Sequence, residues 1–121
     1  MAYRLVGHAQ DRIDAALFES ATRWGLEAAD RYTRLVMAAM NLVGDTPLTP
    51  GSREVPGVPG VRTLHLRWVR HLLAHALRVG EPRHLVVYRV APDGVTEVLS
   101  LVHDRMLLPG AARRARREAD C

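Results

Sequence analysis

Histidine and arginine side chains supply most of the chemistry that this sequence could perform. His71 and His75 are four residues apart, a spacing that would place two imidazoles on one face of a helix, as some zinc sites do. The glutamate of a zinc protease is missing between them and no third ligand is evident, so the sequence predicts no metal site. Between Arg113 and Arg117 four arginines occur, which could follow nucleic-acid phosphates or belong to a solvated tail.

Covalent catalysis and nucleotide cofactors find no support in the sequence. The only cysteine is Cys121, so no internal disulfide can form. No glycine-rich phosphate loop occurs, and we expect no cofactor. The arginine run contains no aromatic residue, which argues against a stacking platform for single-stranded nucleic acid.

The charge is distributed unevenly along the chain. Residues 1–60 contain six arginines and seven acidic residues, whereas residues 61–121 contain eleven arginines and six acidic residues. All basic residues are arginine, without a single lysine. A basic second half can bind nucleic acid or an acidic protein, although solvated charges would give the same pattern.

Two strands joined by a tight turn must position these side chains. Residues 84–90 and 95–102 are rich in β-branched and aromatic types, and the Asp-Gly dipeptide at 93–94 tolerates a positive φ, so we predict a β-hairpin. Tyr88 and Arg89 are neighbours in the first strand and therefore point to opposite faces. Arg89 faces either an acid or phosphate of a partner or a carboxylate on the adjacent strand.

Upstream of this hairpin, the pattern predicts a strand and two helices. Residues 3–6 alternate in hydropathy and indicate a short strand. Apolar residues then recur at helical spacing over 9–24 and 28–43, and Gly25 and Gly44 end the two stripes. Helices joined so closely form an antiparallel hairpin, and the sheet is the surface available to cover their apolar stripes.

The middle of the chain is less regular. Residues 44–60 contain four glycines and four prolines, which predicts a long loop without regular elements. Residues 61–68 alternate as a half-buried strand, and residues 69–79 form a short helix or a long turn. We interpret Trp24 and Trp68 as core residues.

Together these elements indicate an α+β fold. An N-terminal strand and a helical hairpin precede an antiparallel three-stranded meander, and a basic C-terminal tail follows. A chain of 121 residues with 48% apolar and 25% charged residues is typical of one globular domain. No apolar run is long enough to span a membrane and no secretory signal is evident, so we expect a cytoplasmic protein.

Four groups of residues carry a resemblance to a known family. They are Met1-Ala2-Tyr3-Arg4-Leu5, Arg23-Trp24-Gly25 with Ala29-Asp30-Arg31-Tyr32, Arg83-His84-Leu85-Val86-Val87-Tyr88-Arg89-Val90, and Val98-Leu99-Ser100-Leu101-Val102-His103-Asp104-Arg105-Met106. In this order they resemble the RelE/ParE superfamily of toxins from bacterial type II toxin–antitoxin systems. The resemblance covers about residues 1–108, the expected toxin domain, and leaves 109–121 as an arginine-rich tail. Residues 69–79 depart from it, because most family members turn tightly there.

The superfamily divides by function. RelE-like members are similar in fold but cleave mRNA on the ribosome with several basic side chains. These side chains supply the acid, the base and the charge stabilisation that RNA cleavage requires. ParE-like members lack much of this set and poison DNA gyrase. This chain has no lysine, has Leu85 where RelE-like toxins place an arginine, and has no tyrosine after Tyr88. It is therefore more similar to ParE. A RelE-like endoribonuclease and a non-toxic interaction module of the same fold remain the alternatives.

The resemblance also implies partners and binding residues. A ParE-like toxin, not itself an enzyme, would act on gyrase and form a hetero-oligomer with a cognate antitoxin that has an acidic C-terminal segment. Arg105 would contact the target or that segment, unless it caps a turn beside a buried His103. The expected target- and antitoxin-binding residues are Arg83, His84, Tyr88, Arg89, His103 and Arg105, with Arg89 and Arg105 in one cationic site. The expected antitoxin groove comprises Leu17, Trp24, Tyr32, Leu35 and Val36.

Overall fold

A computed structural model of the chain describes residues 2–121. Its helices and strands are β1 (Tyr3–Leu5), α1 (Ala9–Trp24), α2 (Leu26–Asp45), β2 (Arg53–Glu54), β3 (Arg62–His65), β4 (His84–Val90), β5 (Thr96–His103) and α3 (Leu108–Asp120). One five-stranded sheet runs in the order β1-β5-β4-β3-β2. β1 pairs with β5 in parallel and the other pairs are antiparallel. The α+β class is confirmed, but the predicted meander is only the centre of a larger sheet.

The hairpin of β4 and β5 is confirmed. The Ala91 N–H donates to the Val95 carbonyl at 2.9 Å, and Gly94 has a φ of 85°, which glycine adopts without steric cost. The Asp93 carboxylate accepts from the Val95 N–H and completes the turn. This short connection fixes the register, in which His84 lies opposite His103 at one end and Val90 lies opposite Thr96 at the other.

Helices α1 and α2 cover one face of the sheet, as predicted. Gly25 separates them with a φ of 92°, and its N–H donates to the Ala21 carbonyl. Leu35 and Val36 of α2 are fully buried in the core. Their assignment to a binding groove was therefore wrong, because they pack on the sheet and present no surface to a partner. The core that they share includes Ile13, Ala39, Val43, Leu64, Val86, Tyr88, Val98 and Leu101.

The second face of the sheet is covered by α3 and by the glycine- and proline-rich loop. Val55 and Val58 of the loop, and Ala112 and Ala115 of α3, are buried in this layer. They pack in one apolar cluster with Val61, Val87, Leu99 and Val102. Two predictions are corrected here: the loop does contain a short strand, β2, and the arginine-rich tail is a docked helix. Alanines at helical spacing on α3 supply the buried face, a signal that the neighbouring arginines obscured.

The connection from β3 to β4 consists of short 3₁₀ helices at Leu66–Trp68, Arg70–Leu72 and His75–Leu77. This agrees with the short helix or long turn predicted for residues 69–79, but the strand predicted over residues 61–68 ends earlier, at His65. Trp68, however, is 42% exposed and covers Gly51 of the loop, so it is not a core residue. Trp24 is 73% exposed at the end of α1, and its assignment to the core was also wrong.

Candidate functional site

An open cleft of about 820 Å³ lies at one end of the sheet, below the turn of the helical hairpin. α1 and α2 form one wall, the segment 78–81 forms the other, and the ends of β4 and β5 form the floor. Its lining residues are Ala16, Glu19, Ser20, Arg23, Trp24, Ala28, Arg31, Tyr32, Arg78, Val79, Gly80, Glu81, Arg83, His84, His103 and Arg105. We call this cleft the hairpin groove.

Tyr32, His84 and His103 form the floor of the hairpin groove. The Tyr32 hydroxyl lies 2.6 Å from Nδ1 of His84 and accepts the Arg83 N–H at 3.2 Å. The His84 and His103 rings meet edge to face, with centroids 5.2 Å apart. Burial raises the pKa of Tyr32 to about 12, so the phenol keeps its proton at neutral pH.

His84 is also neutral at physiological pH. Burial, helped by the neighbouring charge of His103, lowers the pKa of His84 to about 4. Both groups are therefore neutral, and one hydrogen bond joins the Tyr32 hydroxyl to Nδ1 of His84, with its direction set by the tautomer of the imidazole. His84 therefore adds no charge to the floor of the groove.

Asp104 joins β3 to the segment before β4. Its carboxylate lies 3.1 Å from Nε2 of His65 and accepts from Nε of Arg83 at 3.1 Å. Burial acts to raise the pKa of Asp104, but the hydrogen bonds from His65 and Arg83 outweigh it and hold the pKa below its usual value. Asp104 therefore partly neutralises the charge of Arg83. The main role of Arg83 is to hold the start of β4 in place.

The rim of the groove carries cations that no described residue neutralises. Arg31 and Arg105 have no ion-pair partner among residues 2–121. Arg23 lies 3.7 Å from Glu19, a separation too long for a hydrogen bond, and both side chains are exposed. The backbone N–H of Arg105 donates to Nδ1 of His103, which holds the start of the turn after β5. A carboxylate-bearing ligand would find at least two unpaired guanidinium groups here.

Six of the residues predicted for binding lie together around this groove: Trp24, Tyr32, Arg83, His84, His103 and Arg105. Leu17 of α1 is half-buried against the core and does not line the groove. Tyr88 is completely buried, and its assignment to a binding surface was wrong. Its hydroxyl donates to the Pro47 carbonyl and contacts Ser52, so it anchors the loop to the sheet.

The expectation that Arg89 and Arg105 form one cationic site is also wrong. Arg89 lies opposite Glu97 in the register, near the hairpin turn, whereas Arg105 follows the other end of β5. Nε of Arg89 donates to Glu97 at 2.9 Å, and Nη2 donates to Asp120 of α3 at 2.8 Å. These hydrogen bonds, chiefly the one to Asp120, raise the pKa of Arg89. Of the two roles open for Arg89, the structure shows the pairing with neighbouring carboxylates.

Sequence reasoning overlooked several residues of the groove. Arg23 and Arg31 flank the glycine that turns the helical hairpin, and a helical projection places them near each other on the hairpin's outer end. Arg78 could not have been located, because it follows an irregular segment. Among residues 2–121 no three His, Cys, Asp or Glu side chains are grouped closely enough to hold a metal ion.

The fold is a small α+β domain with an arginine-lined cleft beside an exposed tryptophan. The family model described as ParE toxin of the type II toxin–antitoxin system, parDE, matches residues 3–108. The chain therefore belongs to the ParE toxin family and is the toxin component of a type II toxin–antitoxin system. The search of curated proteins gives no match to this chain. No helix in the part of the chain from residue 2 onward is both long and apolar enough to cross a bilayer.

Proposed function

We propose that this toxin inhibits DNA gyrase and that a cognate antitoxin neutralises it by occupying the hairpin groove. The observation that carries the second part is the exposed Trp24 ring beside the unpaired guanidinium groups of Arg31 and Arg105. Tryptophan and arginine are the residue types that most often dominate binding energy at protein interfaces. An acidic amphipathic segment satisfies both features of this groove.

The mode of antitoxin binding follows from the shape of the groove. It is a cleft between helices and strand ends, which accepts an amphipathic helix on its apolar part. Glutamates or aspartates on that helix would pair with the rim arginines, and charge-assisted hydrogen bonds of this kind contribute about 1.5–3 kcal/mol each. The antitoxin would thereby cover Trp24 and the cations together.

Family membership supports gyrase as the target, and the composition is consistent with it. The chain has no lysine with which to assemble the basic set of a ribosome-dependent nuclease.

A second candidate function has one observation in its favour. Tyr32, neutral His84 and His103 lie in hydrogen-bonding or stacking contact at the groove floor, and such groups can transfer protons next to a ribose 2′-hydroxyl. We rank this endoribonuclease activity below gyrase inhibition.

A supercoiling assay tests the target. Purified toxin should block the supercoiling of relaxed plasmid by gyrase, or trap gyrase–DNA complexes that yield linear plasmid on denaturation. Addition of antitoxin should restore activity. In parallel, translating ribosomes with a defined mRNA should show no new 5′ ends by primer extension. Codon-periodic cleavage together with unaffected gyrase would establish the nuclease instead, and a lack of both effects would leave only an interaction module.

The groove is tested separately by calorimetry. The titrant is a synthetic peptide with the sequence of the acidic C-terminal segment encoded by the adjacent antitoxin reading frame. Arg105→Ala should weaken binding about ten- to hundredfold. Arg53→Ala is the matched control, because Arg53 is exposed on the edge strand β2 and does not line the groove. Equal affinities of both variants and the wild type would place the antitoxin elsewhere.

A further inference from the structure

Helix α3 separates its small apolar residues from its arginines. Ala112 and Ala115 are buried against the sheet, while Arg113, Arg114 and Arg117 are exposed. At about 100° per residue, the three arginines fall within a 100° arc that is centred opposite the buried alanines. The outer face of this helix is therefore a continuous cationic stripe, about 6 Å long along the axis between Arg113 and Arg117.

The acidic residues of α3 do not neutralise this stripe. Glu118 pairs with Arg12 of α1 at 2.9 Å, and Asp120 pairs with Arg89 of β4 at 2.8 Å. Both carboxylates are thus occupied by cations of the body of the protein. Arg113, Arg114 and Arg117 have no ion-pair partner among residues 2–121. The two acids dock the helix and leave its arginines free.

From this arrangement we propose that the outer face of α3 binds the phosphate backbone of duplex nucleic acid. Guanidinium groups match phosphate oxygens in geometry and charge, and a row of them on a rigid helix can contact successive phosphates without reading the bases. The stripe lies on the face of the sheet opposite α1 and α2, so it is separate from the hairpin groove. It also lies beyond residues 3–108, the part that the family model matches.

The chemistry of the surface favours a duplex over other acidic partners. From Pro109 onward the exposed part of α3 carries no large apolar or aromatic side chain. The exposed Met106 and Leu107 precede the helix, so a protein partner lying along the stripe itself would lack the apolar anchor that interfaces use. Single-stranded nucleic acid would lack an aromatic stacking partner on the helix. Phosphate contacts along a duplex need only the charges that the helix presents.

The test is fluorescence anisotropy with a 20-base-pair DNA duplex, a duplex RNA of the same length, and poly-glutamate as the acidic polypeptide. If three phosphates are neutralised, a plot of log affinity against log salt concentration should have a slope of about −2.7. The affinity should therefore fall roughly fortyfold between 50 and 200 mM salt. The triple variant Arg113→Gln, Arg114→Gln and Arg117→Gln should lose at least tenfold in affinity for the duplexes. Glutamine preserves helix propensity, so the circular dichroism spectrum of the variant should show the helix content of the wild type.

The matched control is a triple variant of the hairpin groove, Arg23→Gln, Arg31→Gln and Arg105→Gln, which removes the same number of charges. It should retain most of the affinity for the duplexes. Equal losses in the two triple variants would overturn the proposal, since net charge alone would then explain binding. A loss confined to the groove variant, or equally tight binding of poly-glutamate, would also overturn it. Preference for DNA or for RNA identifies which duplex supplies the phosphates, and binding of either supports the proposal. None of these outcomes depends on the identity of the toxin's target.

Discussion

The Tyr32 hydroxyl lies 2.6 Å from Nδ1 of His84 and joins the middle of the helical hairpin to the first residue of β4. The same oxygen accepts the backbone N–H of Arg83 at 3.2 Å. One phenol therefore satisfies a ring nitrogen and a main-chain donor at the floor of the groove. The wall and floor of the groove are held in place by this oxygen.

Tyr32→Phe should destabilise the fold by about 1–3 kcal/mol, because it leaves the Arg83 N–H and the His84 ring nitrogen unpaired in a partly buried position. Denaturant unfolding measures the loss. Tyr3→Phe is the matched control, since the Tyr3 hydroxyl forms no hydrogen bond within residues 2–121. An equal, small change in both variants would show that the phenol is not important for stability.

Acid should destabilise the protein through His84. Its pKa is lowered from 6.5 to about 4 in the folded state, so between these values the unfolded state binds more protons and stability falls as pH decreases. Allowing for partial solvent screening, we expect a loss of about 1 kcal/mol between pH 7 and pH 5. His84→Gln should flatten the profile in this window. This change distinguishes the contribution of His84 from that of Asp104. The pKa of Asp104 is lowered from its usual value, so its contribution to stability is lost only at lower pH.

Regular periodicity in the sequence was sufficient to predict the helical hairpin and the β4–β5 hairpin. Alternating or helical apolar stripes ended at glycines in both cases, and Gly25 and Gly94 do adopt positive φ values. The residues around the groove were predicted from the family resemblance instead. The register of β4 and β5 explains why two of them meet, since His84 lies opposite His103.

Features that depend on contacts between distant parts of the chain could not be predicted. Arg89 alternates correctly on its strand, but only the docking of α3 brings Asp120 within reach. Val55 and Val58 are buried although their loop is rich in glycine and proline, because the sheet offers an uncovered face. Trp24 is apolar and at helical spacing, yet it is the last residue of α1 and remains exposed.

Leu35→Asp should unfold or aggregate the protein. Leu35 is 0% exposed under the sheet, and an unpaired carboxylate there costs several kcal/mol, comparable with the whole stability of a small domain. Met37→Asp is the control, because Met37 is on the same helix and 49% exposed, so this variant should lose far less stability than Leu35→Asp. Thermal unfolding distinguishes the two. A soluble Leu35→Asp variant with an unchanged melting temperature would mean that this face of α2 is not in the core.

Gly51→Ala should be more destabilising than Gly60→Ala. Both glycines have positive φ values, 92° and 81°, so both substitutions incur the same backbone strain. At Gly51 a Cβ would also lie 2.5 Å from the Trp68 ring, whereas at Gly60 no heavy atom lies within 4 Å. We expect a difference of about 1–3 kcal/mol in unfolding free energy. Equal effects would show that the Trp68 ring moves away freely.

Removal of residues 109–121 should destabilise the protein severely. The truncation uncovers the second apolar layer around Val87, Leu99 and Val102 and breaks the Arg89–Asp120 pair. It should expose surface that binds a hydrophobic dye and lower the melting temperature by more than 10 °C, as expected for a loss of several kcal/mol.

Two point substitutions on α3 test whether the packing of its buried face stabilises the protein. Ala115→Asp places a carboxylate in a position that is 2% exposed, and should reproduce most of the effect of the truncation. Arg114→Asp on the exposed face changes the charge by more, yet it should leave the melting temperature within a few degrees of wild type. If Ala115→Asp and the truncation both melt like wild type, α3 is a solvated tail after all, and the cationic stripe loses the rigid support that phosphate binding requires.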